Sequence, residues 1–489
     1  MRTILFFDDW VIQSRRGLNR RWFSAEPWPG HEPCFDPLMG GYSFGNYMSV
    51  IRDTETRLWR MWAAGTSDKS LGDDGMGLCL YTSADGIVWK PHRCDLLVDK
   101  NATPGAPHIV FSGEYSNCGG MPFIDERESD PERRYKLAYS DYSSNWVRPD
   151  VCRIATSPDG ICWTIDRRAV WRRQHVDANF IILFNPYTGK YQWTGRPIVL
   201  DRRISLDQTS DWRTFEGPEI ILHPDPSDPE CVEFYSMPQF FYEGYFIGFL
   251  WKQLAAMVDT RGIRMRGKMD SELTYSINGL HWNRTNRMPF LPDRGIGRGG
   301  FGSEYPAAMV MDDDGWLRIY TSSYIGEHGD WEKFGPDAQI CYLTLSRFRR
   351  DGFCAMEPSS DMGHLILRPL ISQGGEITIN ATTGHFGKIR AELRGNFADD
   401  GVPFPGYELE NSIPVRGDGH FLKLRWKERD DINPLRDRPF LIFLEIDQAR
   451  LYALRVNADH LFGCVPQTNL VGYFVPGVIR GMGRDWNVG

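Results

Sequence analysis

Short apolar runs separated by polar turns set the rhythm of the chain up to about residue 353. One couplet recurs five times: an apolar strand, a polar turn and an aromatic-rich strand. The couplets are 49–51 with 58–64, 121–124 with 135–139, 181–184 with 191–194, 239–241 with 245–251, and 309–311 with 316–320. Runs this short predict strands, and nothing between them carries the period of a long helix. A turn signature follows the couplets: Ser83-Ala84-Asp85-Gly86-Ile87-Val88-Trp89, Ser157-Pro158-Asp159-Gly160-Ile161-Cys162-Trp163 and Ser276-Ile277-Asn278-Gly279-Leu280-His281-Trp282. Asp-Gly or Asn-Gly supplies the positive-φ residues of a tight turn, and the tryptophan anchors the next strand. The first two tryptophans are 74 residues apart and the next two 119, and a decayed copy at Ser210-Asp211-Trp212 falls in the wider gap. Another decayed copy, Ser346 to Asp351-Gly352-Phe353, follows the last and makes five.

Units of ~50–70 residues with about four short strands read as propeller blades. The spacing predicts five blades over about residues 40–353, in a domain of residues 1–355 that opens with an N-terminal lead-in. After Phe353 the aromatic repeat stops. Alternating strands at 377–379, 388–393, 422–426 and 440–444, with a turn at Gly417-Asp418-Gly419, predict a β-sandwich over about 360–460. The second domain is then 356–489, with its Gly-rich tail. The expected fold class is all-β: a five-bladed β-propeller followed by a C-terminal β-sandwich.

Composition narrows the function. The chain has 489 residues, 41% apolar and 25% charged, which excludes disorder, collagen and coiled coil. Net charge is −8 with no long basic stripe, so sequence-independent nucleic-acid binding is excluded. Small basic knots at 261–268 and 347–350 read as solvated loops, or else as a subsite for an anionic substrate. No uncharged apolar run approaches the ~18 residues of a membrane span. The start meets Asp8-Asp9 too early for a secretory segment, which makes the expected location cytoplasmic. Ten cysteines are scattered without zinc spacing, so they read as buried thiols, and neither metal nor cofactor is expected. The 17 Trp, 20 Tyr, 28 Phe and 49 Gly suit short strands, tight turns and flat ligand-binding faces. Self-association stays open.

Blades bring the starts of their first strands, and the ends of their second, to one mouth of the channel. Seven residues before Ile124, Phe184 and Met311 stand Asn117, Asp177 and Glu304, and eight before Phe241 stands Glu233. Blade one offers Ser43, Asn46 and Tyr47 and no acid. Three adjacent blades thus aim Asp, Glu and Glu at one mouth. Converging carboxylates are what glycosidic hydrolysis needs, one as nucleophile or base and one kept protonated as general acid by its neighbours. Acids on surface loops are also common, and three in five strand starts is compatible with a non-catalytic surface. The second-strand ends add Asp141, Arg196, Lys252 and Tyr324 as groups able to grip sugar hydroxyls. Asn46, Asn117, Asn179 and Tyr305 complete the binding set, with Glu230 at the rim. Trp62, Trp193 and Trp251 read as sugar-stacking platforms or, singly, as core. The turn residues Asp85, Asp159 and Asn278 are assigned no catalytic role.

The five-unit spacing, the aromatic second strands and the trailing sandwich resemble the five-bladed propeller glycosidases, glycoside hydrolase families 32, 43, 68 and 117. The chain is similar above all to bacterial propeller proteins of family 32-like type. Their Asp-x-Asn pattern before Gly-Lys-Tyr matches Asp177-Ala178-Asn179 to Gly189-Lys190-Tyr191. Their sandwich pattern matches Pro405-Gly406-Tyr407-Glu408-Leu409-Glu410 and Gly417-Asp418. By blade order, the resemblance implies Asp177 as nucleophile or base, Glu233 as transition-state stabiliser and Glu304 as general acid. The Asn-Asp-Pro-Asn-Gly and Arg-Asp-Pro motifs of family 32 are absent. The expected activity is hydrolysis of a small oligosaccharide or glycoside, and the resemblance favours a furanoside such as a fructosyl or arabinosyl unit. The rival readings are a non-catalytic carbohydrate-binding propeller and a glycosyl-transferring enzyme on the same scaffold.

Overall fold

The computed structural model describes residues 1–30, 34–35, 44–53, 56–66, 76–92, 109–114, 119–141, 151–169, 171, 180–197, 202–257, 266–292, 294–296, 298–329, 341–395 and 402–460. The chain divides into two compact units, Ser24–Phe348 and Met1–Phe23 with Arg349–Gly489. This differs from a single boundary at 355 with the N-terminal residues as a lead-in to the blades, because Met1–Phe23 groups with Arg349–Gly489. Both units are all-β, and the helical elements among the described residues are 3-10 turns of three residues. No helix among them is long and apolar enough to cross a membrane.

In the Ser24–Phe348 unit the described strands form five antiparallel ladders that follow one another along the chain. The first runs Phe44–Arg52, Trp59–Thr66 and Met76–Ser83, with Lys90–Pro91 and Ile109–Phe111 along its outer side. The second is Phe123–Ile124, Tyr135–Asp141, Val151–Ser157 and Thr164–Ile165, and the third Leu183–Asn185, Lys190–Gly195, Ile204–Thr209 and Glu216–Leu222. In the fourth, Val232–Ser236 and Gln239–Tyr242 share the inner position beside Tyr245–Met257, followed by Arg266–Ser276 and Trp282–Pro289. The fifth is Ser303–Met311, Trp316–Tyr324 and Tyr342–Arg349. Its outer strand comes from the N-terminal side: Glu26–Pro27 pairs with Ser346 and Arg347, and Cys34–Phe35 with Tyr342 and Leu343. An unpaired third strand would leave an edge open to association, and this segment covers it.

The turn repeat has a second use besides reversing the chain. In each intact copy the serine hydroxyl accepts the glycine N–H, at 2.9, 2.9 and 2.8 Å for Gly86, Gly160 and Gly279. The Asp or Asn side chain accepts the next two backbone N–H groups. The copy at 209–214 is complete in geometry: Thr209 replaces serine, and Trp212 takes the glycine place at φ +57°. The turn carbonyls then receive donors from a neighbouring ladder. Arg60 and Trp62 of the first ladder donate to the carbonyls of Asp159 and Gly160, each at 2.9 Å. Asn185 and Gln192 of the third donate to Asn278 and Gly279 at 2.8 and 3.2 Å. Arg318 and Tyr320 of the fifth donate to Asp85 and Gly86 of the first at 2.5 and 2.9 Å. The second ladder holds the third through Tyr191, whose hydroxyl donates to Asp125, and through Lys136 over the Trp212 ring. The fourth holds the fifth through the Trp251 indole N–H on the Pro306 carbonyl and the Met269–Ser303 bridge. These contacts make a closed circuit that returns to the first ladder after five steps.

The copy expected at 346–353 departs from this pattern. Asp351 has φ +58°, Gly352 donates to Arg349, and the Asp351 carboxylate is forked by Arg455 at 2.8 Å and held by Asn380. Tertiary partners in the C-terminal unit have taken the carboxylate that the other copies spend on their own turn.

The Met1–Phe23 and Arg349–Gly489 unit is built on two long paired strands, Thr378–Arg394 and Pro439–Val456, whose register breaks between Thr383 and Lys388. A bulge of this kind bends a strand pair. Arg2–Leu5, Met362–Leu367 and Cys354–Pro358 pair with Pro439–Val456, Ile12–Arg16 and Leu18–Trp22 extend the sheet, and Leu370–Ser372, Asp418–Lys423 and Ala458–His460 bring it to ten strands. Residues 440–446 and 451–456 are buried at successive positions, so both faces are covered there.

Candidate active site

In an antiparallel meander the first strands start, the second strands end and the third strands start at one end. Glu233 and Glu304 are second residues of their first strands, Val232–Ser236 and Ser303–Met311. Asp141 and Tyr324 end second strands, and Arg196 follows one. Four expected positions lie outside this description: Asn117, Asp177 and Asn179 fall outside the described residues, and the side chain of Asn46 is likewise not described.

Glu233 and Glu304 are each almost fully buried, at 9% and 7% exposure. A buried carboxylate needs a cation or donors to offset lost hydration. Arg202 stands 3.4 Å from Glu233, and Arg294 stands 4.0 Å from Glu304. Gly300, four residues before Glu304, packs directly on its carboxylate. A β-carbon at Gly300, where φ is +95°, would lie 2.7 Å from Oε1 of Glu304. Only a residue without a side chain lets the backbone wrap the acid this closely.

Tyr305, next to Glu304 in sequence, and Tyr235, two residues from Glu233, belong to an aromatic cluster drawn from three ladders. Tyr305 reaches His328 Nδ1 at 3.0 Å, and the Tyr235 ring stands edge-on to His328 with centroids 5.0 Å apart. Trp251 meets Tyr305 at 5.2 Å, stacks with Tyr47 at 6.1 Å, and Tyr324 meets Tyr305 at 5.9 Å. Trp251 and Tyr305 have no exposed surface, so neither offers a face on which a sugar lies. Trp62 and Trp193 are equally buried, which settles both as core. Burial, then the Cys341 thiol, holds the Tyr324 phenol well above its ordinary value. Arg196 and Arg202, from the third ladder, both lie over Tyr235, at 4.6 and 4.9 Å from the ring centroid.

The other expected residues are placed differently. Asp141 is engaged by Arg153 at 2.9 Å and by the Glu114 backbone N–H at 3.2 Å. Lys252 lies between Asp270 and Glu272, at 3.4 and 3.5 Å, and Glu230 is exposed. Asp85 and Asp159 serve their turns. Burial works to raise both carboxyls, but backbone N–H groups and a serine hydroxyl outweigh it and hold them below the usual range.

Sequence reasoning missed Arg202, Tyr235, His328 and Asp270. The Asp270 carboxyl is held above its ordinary value. Burial is the main cause and Glu272 adds to it, against the opposing charges of Lys252 and Lys268. Glu272 itself is clasped by Arg284 at 2.7 and 2.5 Å. Asp270 directly follows Met269, the partner of Ser303, so Asp270 and Glu304 occupy consecutive positions on adjoining strands. A signal for it was present. Third strands start at the same end as the first, so an acid on the third strand Arg266–Ser276 carries the same kind of signal as one at a first-strand start. Among the described residues no three His, Cys, Asp or Glu side chains gather as a metal site.

No family model matches the chain, and no curated relative matches it. Among solved structures it is similar to a thermostable family-43 glycoside hydrolase, at 14% identity and TM-score 0.44, over 65% of this chain and 94% of that one. It is similar to an endo-arabinase from Bacteroides thetaiotaomicron at 15% identity and TM-score 0.41, over 65% and 96%. It is also similar to an N-acetylgalactosamine deacetylase from F. plautii at 12% identity and TM-score 0.42, over 68% and 95%.

Proposed function

We propose that the five ladders are the blades of a propeller and that the chain is a glycoside hydrolase working at the shared end of blades three to five. The observation that carries this reading is the pair Glu233 and Glu304. They are nearly buried carboxylates entering from successive ladders at the same strand position, each with a guanidinium beside it. In this reading Glu304 protonates the departing glycosidic oxygen, and Glu233 stabilises the positive charge that develops on the sugar. Asp177 attacks the anomeric carbon or activates water. Arg196 and Tyr324 contact the substrate, which is a small glycoside with a furanoside ring favoured, and the C-terminal sheet unit contributes stability without a catalytic group.

The test is hydrolysis of a panel of aryl glycosides, followed by the amide variants on whichever substrate is turned over. Asp177→Asn and Glu304→Gln should fold normally and lose about 10²–10⁴ in kcat, the usual contribution of one acid or base. Glu233→Gln should slow turnover by a smaller factor. Near-wild-type turnover for both Asp177→Asn and Glu304→Gln would remove the assignment, and hydrolysis of no panel member would remove the activity.

A further inference from the structure

We propose that the C-terminal unit carries a non-catalytic binding site for a neutral saccharide, in a cleft beside the register break of its two long strands. This inference goes beyond the hydrolase reading and does not depend on it. Thr383 stands opposite Ala449 and Lys388 opposite Asp447, so residues 384–387 of one strand face Gln448 alone on the other. Beside this bulge lies a cleft of about 350 Å³, whose walls include Glu357, Ser360, Thr382, Thr383, Gln448 and Arg450. Sites for small ligands run from about 300 to 1,000 Å³, and the lower end of that range holds one or two sugar rings.

The backbone around the cleft is held in an unusual shape. Gln448 has φ +45°, a conformation that a residue with a side chain adopts only at a cost. Its N–H donates to the Asp361 carbonyl at 2.8 Å, which ties the segment after Glu357 to the long strand. A β-carbon at Gly387 would clash with the Gln448 carbonyl, so this crossing requires glycine. Arg416 then fixes the bulge by donating to the Phe386 and Gly387 carbonyls at 2.9 and 2.7 Å. Backbone strain that the surroundings hold in place clusters where proteins bind ligands.

The chemistry of the walls selects the ligand. Arg450 donates to Glu357 at 2.8 Å, and both side chains keep part of their surface in water. One cation beside one anion favours neither a free anion nor a free cation. Arg450 offers donors, Glu357 acceptors, and the Gln448 amide and the serine and threonine hydroxyls offer both. A sugar ring matches that mixture, because each of its hydroxyls donates and accepts. An anion would leave the Glu357 acceptors opposed, and a metal ion would meet the Arg450 charge. The bulge also carries Phe386, two residues on from Gly384 of the cleft wall and 73% exposed. An open aromatic ring is the flat apolar surface on which the C–H face of a sugar packs.

The experiment is calorimetric titration of the full chain with the methyl glycosides of D-glucose, D-galactose, D-mannose and L-arabinose. D-glucuronate and D-glucosamine are the charged comparisons, and each sugar is carried to about 10 mM. At least one neutral glycoside should bind, and more tightly than either charged sugar. Thr382→Val, Phe386→Ala and Gln448→Gly should each weaken that binding by about 2–10-fold, the worth of one net hydrogen bond or one aromatic face. Glycine suits the φ at position 448, so that variant keeps its fold. All three should leave the hydrolysis of aryl glycosides at the parent rate. Binding that all three leave unchanged places the sugar elsewhere and overturns the site. Absence of binding by every neutral glycoside, or tighter binding of a charged sugar, overturns it as well. Lost hydrolysis in a variant that melts like the parent would overturn its non-catalytic character. If the parent hydrolyses no aryl glycoside, the hydrolase reading falls, and the titration still decides this site.

Discussion

Replacing Gly86 by alanine tests whether the turn repeat joins the ladders into a ring. Gly86 sits at φ +73°, and a β-carbon there would lie 2.7 Å from the Tyr320 hydroxyl, 2.8 Å from the Trp59 ring and 2.9 Å from an Arg318 nitrogen. The positive φ alone costs about 1 kcal/mol for a residue with a side chain. Displacing Tyr320 from the Gly86 carbonyl forfeits about 1 kcal/mol, and displacing the charged donor Arg318 from Asp85 about 1.5–3 kcal/mol. Together these predict a loss of about 3.5–5 kcal/mol. Gly189 is the control, because its φ is +70° and nothing lies within 4 Å of the added carbon, so Gly189→Ala should lose only the strain of about 1 kcal/mol. At roughly 2–3 °C per kcal/mol for a large unit, the melting temperature should fall by about 7–15 °C in the first variant and about 2–3 °C in the second. Scanning calorimetry with tryptophan fluorescence reads both. Equal losses in the two variants would mean that the contacts between the fifth and first ladders carry no load, and the closed circuit would lose its physical basis.

Two further perturbations probe charge in each unit. Lys136 has no exposed surface and holds Asp125 at 2.6 Å and Glu128 at 3.0 Å. Lys136→Met leaves the Asp125 carboxylate buried without its cation and should cost about 3–5 kcal/mol in urea unfolding, partly recovered by adding Asp125→Asn. A loss under about 1 kcal/mol for the single variant would contradict this account. In the C-terminal unit, burial first, then the charges of Arg2 and Arg368, depress the His460 imidazole to about 4. A group depressed below its unfolded value gives stability that is whole above pH 6.5 and is lost as pH falls toward 4. The loss amounts to no more than about 3 kcal/mol, and His460→Gln should not undergo it. Parallel stability curves for the two proteins from pH 7 to 4 would exclude His460 as the titrating group.

The residues divide cleanly between what lies within reach of local pattern and what does not. The strand couplets and the turns at 83–89, 157–163 and 276–282 are legible in sequence because their bonds join residues two or three apart. Even the copy at 209–214, disguised by Thr209 and Trp212, keeps that local geometry. The copy at 346–353 failed for the converse reason. Its acid, Asp351, is claimed by Arg455, 104 residues away, and spacing along the chain carries no record of such a partner. The fate of the N-terminal strands was equally hidden, since residues 26–27 and 34–35 complete a ladder more than 300 positions downstream. In the candidate site, strand-start counting placed Glu233 and Glu304 at one end because the two-residue alternation and hairpin lengths fix strand position. Which cation meets each acid, that Trp251 lies beneath the surface, and that Asp270 holds its proton more tightly were decided by folding. Burial and charge pairing depend on distances between strands, and those distances exist only once the ladders have packed.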